Sequence, residues 1–266
     1  MVPADETTGW PFVKSTVVYE VVDSTSDRAG DHVREGRLPL PLAVWAKSQS
    51  HGRGQGSNSW WSDTGSLTVT LALNPRDHGL VLENEPQLAL ATAVAIIEAL
   101  NELGLGHHAI GIRWPNDLEA DGRKLAGILP EQVETAHGRR LLIGIGLNVR
   151  TNLAAAPPEI RTMATSLAEL HQRPIDDGFS NRLVPAILGR FEAVLARLAA
   201  GDQALADQWN QLDLLRDTWV RVDLGTCELV GLGQGIDNQG ALCLNQRSKQ
   251  IRIFGGRIVR PLNGAV

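Results

Sequence analysis

The longest uncharged apolar run in the chain, Leu88 to Ile97, is ten residues long. A helix that crosses a bilayer needs about 20 apolar residues, so this run predicts a helix of a water-soluble protein. That helix should start near Pro86, a proline acceptable in a first turn, and end at Leu103 with Gly104 beyond it. A chain of 266 residues, 43% hydrophobic and 21% charged, can bury a core without a disulfide or a structural metal. Its two cysteines, Cys227 and Cys243, form no C-x-x-C pair, and His107 and His108 are adjacent, so zinc-ligand spacing is absent. These features point to a reducing, cytoplasmic setting. Asp5 and Glu6 precede the first basic residue, Lys14, which excludes a signal peptide. The net charge of −5 argues against general nucleic-acid binding.

Strand-like runs flank that helix. Val17 to Val22, Leu42 to Lys47, Leu67 to Leu73, Ala109 to Trp114, Lys124 to Pro130 and Leu141 to Val149 carry the apolar content of strands. Asp23-Ser24-Thr25 supplies N-cap candidates for a helix ending near Gly36. Ser180 to Ala200, with a bend expected at Pro185, and Asp202 to Leu212 read as two more helices. From Thr218 the pattern changes to short strands with turn signals at Gly225, Asn238 and Gly240. The expected organisation is a loosely tethered arm over residues 1–15, a large domain over 16–215 and a small barrel over 216–266.

Three segments suit chemistry. Gly52-Arg53-Gly54-Gln55-Gly56 returns to strand rather than opening a helix, which disfavours a dinucleotide fingerprint. Its glycines and arginine suit either an anion-wrapping loop or a plain surface loop. Arg113-Trp114-Pro115-Asn116-Asp117 forms a polar corner ahead of Lys124-Leu125-Ala126-Gly127. Lys124, set among apolar neighbours, requires an anion, either Asp117 or a ligand. The glycines of Gly144-Ile145-Gly146-Leu147-Asn148 indicate a close backbone approach or tight strand packing. Gly231, Gly233 and Gly235 read as turn and bulge chemistry.

In order along the chain, Asp23-Ser24-Thr25, Gln49 ahead of Gly52-Arg53-Gly54, Trp60, the Trp114–Asp117 corner, Lys124-Leu125-Ala126-Gly127-Ile128-Leu129 and Gly144–Asn148 resemble the biotin protein ligases (biotin–acetyl-CoA-carboxylase ligases). Gly235 to Leu242 resembles their C-terminal domain. The resemblance spans about Val18 to Pro261. It implies an α+β fold, a mixed sheet with helices packed on one face, followed by an SH3-like barrel. It also implies ATP, biotin and Mg²⁺ as substrates and cofactor, formation of biotinyl-5′-AMP, and transfer to a lysine of a biotin carboxyl carrier domain.

By the same resemblance Lys124, Arg53 and Asp117 are the catalytic residues. Lys124 holds the carboxylate and α-phosphate, Arg53 lies across carboxylate and phosphates, and Asp117 receives the proton of the incoming amine. Biotin is expected against Ser24, Thr25, Gln49, Gly52, Arg53, Lys124, Gly127 and Leu129. ATP is expected against Arg53, Gly54, Trp60, Asn116, Lys124 and Asn148, with Trp60 stacking on adenine. The familiar loop, G-R-G-R-x-G-R-x-W, carries two later arginines that this chain lacks, which is expected to weaken retention of the adenylate. Arg113 stands where lysine is usual. Only 22 residues precede Asp23, too few for the DNA-binding domain of some members, so a ligase that is not a repressor is expected. The alternatives are a lipoate or octanoyl transferase of the same fold and a non-catalytic biotin- or adenylate-binding protein. No nucleic-acid or membrane partner is expected, and a homodimer is kept as a candidate assembly.

Overall fold

A computed structural model of the chain describes residues 9–81, 85–106, 109–172, 174–247 and 249–259. The strands of its first part are β1 (Ser15–Val22), β2 (Leu42–Gln49), β3 (Gly52–Arg53), β4 (Ser59–Trp60), β5 (Ser66–Leu73), β6 (Ile110–Arg113), β7 (Asp117–Ala120), β8 (Arg123–Val133) and β9 (Arg140–Asn148). The helices are α1 (Thr25–Glu35), α2 (Glu85–Glu102), α3 (Pro158–Arg161), α4 (Leu167–His171), α5 (Phe179–Ala199) and α6 (Gln203–Leu212). Strands β10 (Trp219–Asp223), β11 (Glu228–Ile236), β12 (Leu242–Gln246), β13 (Lys249–Ile253) and β14 (Arg257–Val259) complete the chain.

Seven strands form one sheet in the order β1-β2-β5-β9-β8-β7-β6. β1 and β2 run parallel, with α1 as the crossover that parallel neighbours need, and the remaining pairs are antiparallel. The sheet is therefore mixed, as expected. Strand β5 is buried along its whole length, and its period of two sorts its side chains. Leu67, Val69, Leu71 and Leu73 join the core with α2 and α5. Ala72 packs with Ala29 and Val33 of α1, and Thr70 bonds to Thr25 and Ser26 at the start of α1. The long helices thus share one face of the sheet, while the short α1 lies on the other. Pro185 sits inside a continuous α5.

The C-terminal strands form an antiparallel sheet in the order β13-β12-β11-β10-β14. A register shift between Gly233 and Ile236 supplies the bulge expected there. Ile236, Leu242, Leu244 and Ile253 belong to the same apolar core as Trp209 of α6. Trp114 Nε1 donates to Gly240 O at 3.0 Å, fastening this sheet to the polar corner. Asp213, after α6, runs beside Ile112 of β6. Burial pushes its carboxyl pKa up to about 6, and its Oδ2 accepts no hydrogen bond among the described residues.

The expected loose arm is corrected over residues 9–15. Trp10 packs on Trp45 with ring centroids 5.8 Å apart, and Phe12 meets Phe191 edge-on at 5.4 Å. β1 already begins at Ser15. Two aromatic anchors therefore hold a segment whose composition reads as irregular. Residues 1–8, His107, His108 and Arg260 to Val266, with Pro261 among them, lie outside the described residues. No helix among the described residues is long and apolar enough to cross a membrane.

Candidate functional site

A cavity of about 430 Å³ opens where the start of α1, the β3–β4 ribbon, the β6–β7 corner, the glycines of β8 and β9, and β14 converge. Ser24 caps α1, its hydroxyl accepting from Asp27 N–H. The same cap that starts the helix therefore brings Ser24 and Thr25 to the cavity. Gln49, at the end of β2, faces them, and its Oε1 accepts from Thr25 N–H at 2.7 Å and Thr25 Oγ1 at 3.0 Å. Opposite stand Gly127 and Leu129 of β8, with Gly144 and Gly146 of β9.

Both glycines of β9 meet protein side chains. A Cβ on Gly146 would lie 2.5 Å from the Trp60 indole, and one on Gly144 would lie 2.9 Å from Ser26 Oγ. Trp60, carried by the ribbon, thus lies against Gly146 of the sheet beside the Lys124 ammonium, which is 5.8 Å from its ring centroid. Its indole N–H is buried without an acceptor among the described residues.

Lys124 finds its anion in Asp117, with Nζ 2.7 Å from Oδ1. Its backbone is fixed on both sides, the N–H donating to Met163 O at 2.8 Å and the carbonyl accepting from Thr165 N–H at 2.9 Å. Asn116 locks the corner: its Nδ2 donates to Ile128 O at 2.8 Å, and its own carbonyl accepts from Ile128 N–H at 2.8 Å. Arg113 lies 3.6 Å from Glu119 Oε1, a carboxylate that is only 3% exposed. Arg53 is engaged twice. Its Nη1 and Nη2 fork onto Glu131 at 2.8 and 2.6 Å, and its Nε reaches Asp27 at 2.9 Å.

Of the site residues singled out in the sequence, Ser24, Thr25, Gln49, Arg53, Gly54, Trp60, Asn116, Asp117, Lys124, Gly127 and Leu129 line this one cavity. Gly52 and Asn148 do not. Gly52 allows the ribbon to close, since a Cβ there would sit 2.5 Å from Trp60 O. Asn148 is buried behind the strand, donating to Lys124 O at 3.5 Å and accepting from Thr151 Oγ1 at 3.2 Å. It therefore supports Lys124 from below rather than reaching into the cavity.

Other lining residues carry no local signal in the sequence. Glu159, Ile160, Met163 and Ala164 follow β9, and Gly256, Arg257 and Ile258 come from the C-terminal sheet. Arg257 is largely exposed and pairs with Asp223 at 3.0 Å. Trp61 packs against the cluster of Leu153, Ala156 and Ala164, and Asp63 Oδ2 accepts from Asn152 N–H at 2.9 Å. The ribbon is thereby tied to the segment that walls the far side. The arrangement combines the polar Ser24–Thr25–Gln49 end with four cationic side chains, Arg53, Arg113, Lys124 and Arg257, in one cavity, which suits a small acid meeting a polyanion.

Residues 18–148 match the Biotin/lipoate A/B protein ligase family. The chain is 31% identical over 220 residues to the biotin–[acetyl-CoA-carboxylase] ligase of Mycobacterium tuberculosis, covering 82% of this chain and 78% of that one. It is 30% identical over 250 residues to the bifunctional ligase/repressor BirA of Escherichia coli, covering 92% of this chain and 73% of that one. Among solved structures, the biotin protein ligase of Aquifex aeolicus in complex with biotin and ATP superposes with a TM-score of 0.78 at 26% identity, over 92% of this chain and 98% of that one.

Proposed function

Because the chain belongs to the Biotin/lipoate A/B protein ligase family, we propose that its cavity joins biotin to ATP and then passes the biotinyl group to a lysine of a carboxylase's carrier domain. The observation that carries this reading is the Lys124–Asp117 pair at 2.7 Å, set in one cavity with the polar Ser24–Thr25–Gln49 end and the cations Arg53, Arg113 and Arg257. Biotin enters with its ring toward that polar end and its carboxylate toward Lys124.

In the first step a biotin carboxylate oxygen bonds to the α-phosphorus as the bond to the β-phosphate oxygen breaks, releasing pyrophosphate. Two anions must approach each other, so the chain's part is to cancel their repulsion while holding them in line. Lys124 stands where both reacting groups come within reach of one ammonium. Arg53 and Arg257 hold the outer phosphates, with Arg53 exchanging its carboxylate partners for the ligand. ATP is taken as its Mg²⁺ complex, the ion supplying further charge to the phosphates. Among the described residues no three His, Cys, Asp or Glu side chains are grouped to hold a metal. Trp60, expected from the sequence to stack on adenine, lies instead against Gly146 and Gly127, and from there it covers the carboxylate end and excludes water from the mixed anhydride. Asn116 shapes the nucleotide side through the corner it locks.

In the second step the carrier lysine's amine attacks the biotinyl carbonyl and AMP leaves. An amine with an ordinary pKa of ~10.4 must lose a proton to do so. Asp117, at the cavity edge, receives it. Both cysteines of the chain are free, and we place the reaction in the cytoplasm, where thiols persist and ATP is abundant.

The test is incubation with biotin, MgATP and a biotin carboxyl carrier domain. Biotin-dependent pyrophosphate release followed by a mass increase on the carrier is expected. Absence of pyrophosphate release overturns the reading, and release with octanoate or lipoate but not biotin moves the chain to the other branch of its family.

A further inference from the structure

Behind the polar end of the cavity lies a chain of side-chain hydrogen bonds with one inner member, Thr70, that does not line the cavity. Thr70, on β5, is fully buried, and its Oγ1 lies 2.9 Å from Thr25 Oγ1 and 3.2 Å from Ser26 Oγ. Thr25 Oγ1 in turn lies 3.0 Å from Gln49 Oε1. Thr25, Ser26 and Gln49 all line the cavity.

The protons in this chain have only one consistent order. The backbone N–H of Thr25 points at Gln49 at 2.7 Å, so the Gln49 atom facing it is the amide oxygen, which only accepts. The Thr25 hydroxyl therefore donates to Gln49, and having given its one proton must accept from Thr70. Thr70 has then used its own proton, so Ser26 must donate to Thr70. The sequence of donation is Ser26 to Thr70 to Thr25 to Gln49. Two consequences reach the cavity. Gln49 keeps its NH₂ end for a ligand and offers donors only, whereas Ser26 has used its proton and offers lone pairs only.

We propose that Thr70 is a positioning residue for substrate choice: by taking the Ser26 proton it presents an acceptor at Ser26 beside the donor at Gln49, a pattern matched by a cyclic urea with its one carbonyl and two N–H groups. This rests on the biotin reading given above. A dithiolane or a plain alkyl chain satisfies neither group and leaves the buried Ser26 and the half-buried Gln49 unpaired. Without the Thr70 hydroxyl, the Ser26 proton has no buried acceptor and turns toward the ligand, setting donor against donor.

The experiment compares wild type, Thr70→Val, which keeps the shape and removes the hydroxyl, and Thr70→Ser, which keeps the hydroxyl. Biotin and desthiobiotin binding are measured by calorimetry, and KM for biotin, KM for ATP and kcat by pyrophosphate release. Thr70→Val should weaken both cyclic ureas about tenfold, the loss expected when one buried polar contact is mispaired. KM for ATP and kcat at saturating biotin should stay within about twofold, and Thr70→Ser should bind biotin within about threefold of wild type. If Thr70→Val does not fold, Ser26→Ala removes the other end of the chain and carries the same expectation of a biotin-only loss. Biotin binding by Thr70→Val within twofold of wild type, an equal rise in KM for ATP, or a Thr70→Ser variant as weak as Thr70→Val would each overturn the inference. Those outcomes require a wild type that binds biotin; a wild type that does not bind it removes the biotin reading and this inference together.

Discussion

Lys124 and Arg53 face one cavity, and they are held there by different forces. The backbone of Lys124 is bonded at both its N–H and its carbonyl to the segment 163–165, and Asn116 ties the neighbouring corner into β8 twice. Arg53 sits on a two-residue strand and is fixed by side-chain pairs to Asp27 and Glu131 that are partly exposed. Exposed ion pairs contribute roughly 0–1 kcal/mol each, whereas breaking the strand-built wall means breaking a ladder. The wall is pre-organised for the reacting atoms. Arg53 is held by charges that a polyanionic ligand can replace, so its guanidinium can turn from Asp27 and Glu131 to phosphates.

The comparison is tested most severely at Lys124. Lys124→Ala should reduce adenylate formation at least about 10³-fold, since it removes the preorganised cation at the site of charge development. Binding of biotin alone should fall far less. Pyrophosphate release and calorimetry measure the two, and a near-wild-type rate would remove Lys124 from the chemistry. Asp117→Asn comes next, with transfer from preformed adenylate to the carrier slowed about 10²-fold, the size of a general-base contribution. Adenylate formation should be nearly unchanged. An equal loss in both steps would mean that Asp117 acts only by holding Lys124.

The wall was also the more legible side in the sequence. A lysine among apolar residues seven positions after an aspartate at a strand end needs an anion, and the hairpin turns the two toward each other. The cap at Ser24 and the glycines of β9 likewise have local signatures. What the sequence did not show depends on contacts between distant segments. Trp10 and Phe12 look like part of an irregular arm until Trp45 and Phe191 are placed beside them. Glu159 to Ala164 and Gly256 to Ile258 have no period and no motif, and reach the cavity only because Trp61 and the C-terminal sheet bring them there. Asn148 lies in a recognisable motif, yet its side chain turns behind the strand to bond Lys124. Arg53 is legible as a cation, but its two carboxylate partners are not, because Asp27 and Glu131 come from elements far apart in the chain.

That pairing yields a smaller effect on the ribbon side. Glu131→Gln removes the fork on Arg53 without touching the wall, so less work is needed to turn the guanidinium toward phosphates. KM for ATP should fall about threefold, in keeping with the modest worth of an exposed pair, and 0.5 M salt should narrow the difference from wild type. A rise in KM would instead make Glu131 the group that sets the ribbon in its binding position.

The smallest effect on catalysis belongs to Asp213, which lies beside β6 at the back of the wall. Burial raises its carboxyl pKa to about 6 from 3.8, so the folded chain holds a proton that the unfolded chain releases between those values. Stability falls wherever the folded state binds more protons as pH rises. The contribution of this group is therefore fully present below about pH 4, declines as pH passes through about 6, and is absent at pH 7. Asp213→Asn is uncharged throughout and can still accept from Leu215 N–H, the bond that Oδ1 now accepts at 2.9 Å. It should raise unfolding stability at pH 7 by on the order of 2 kcal/mol, match wild type near pH 4, and leave kcat and both KM values unchanged. Denaturant unfolding at the two pH values measures the first pair of outcomes. A stability gain that appears equally at both would trace the effect to packing rather than to charge, and a change in KM for ATP would show that the wall is less independent of its supports than its hydrogen bonds imply.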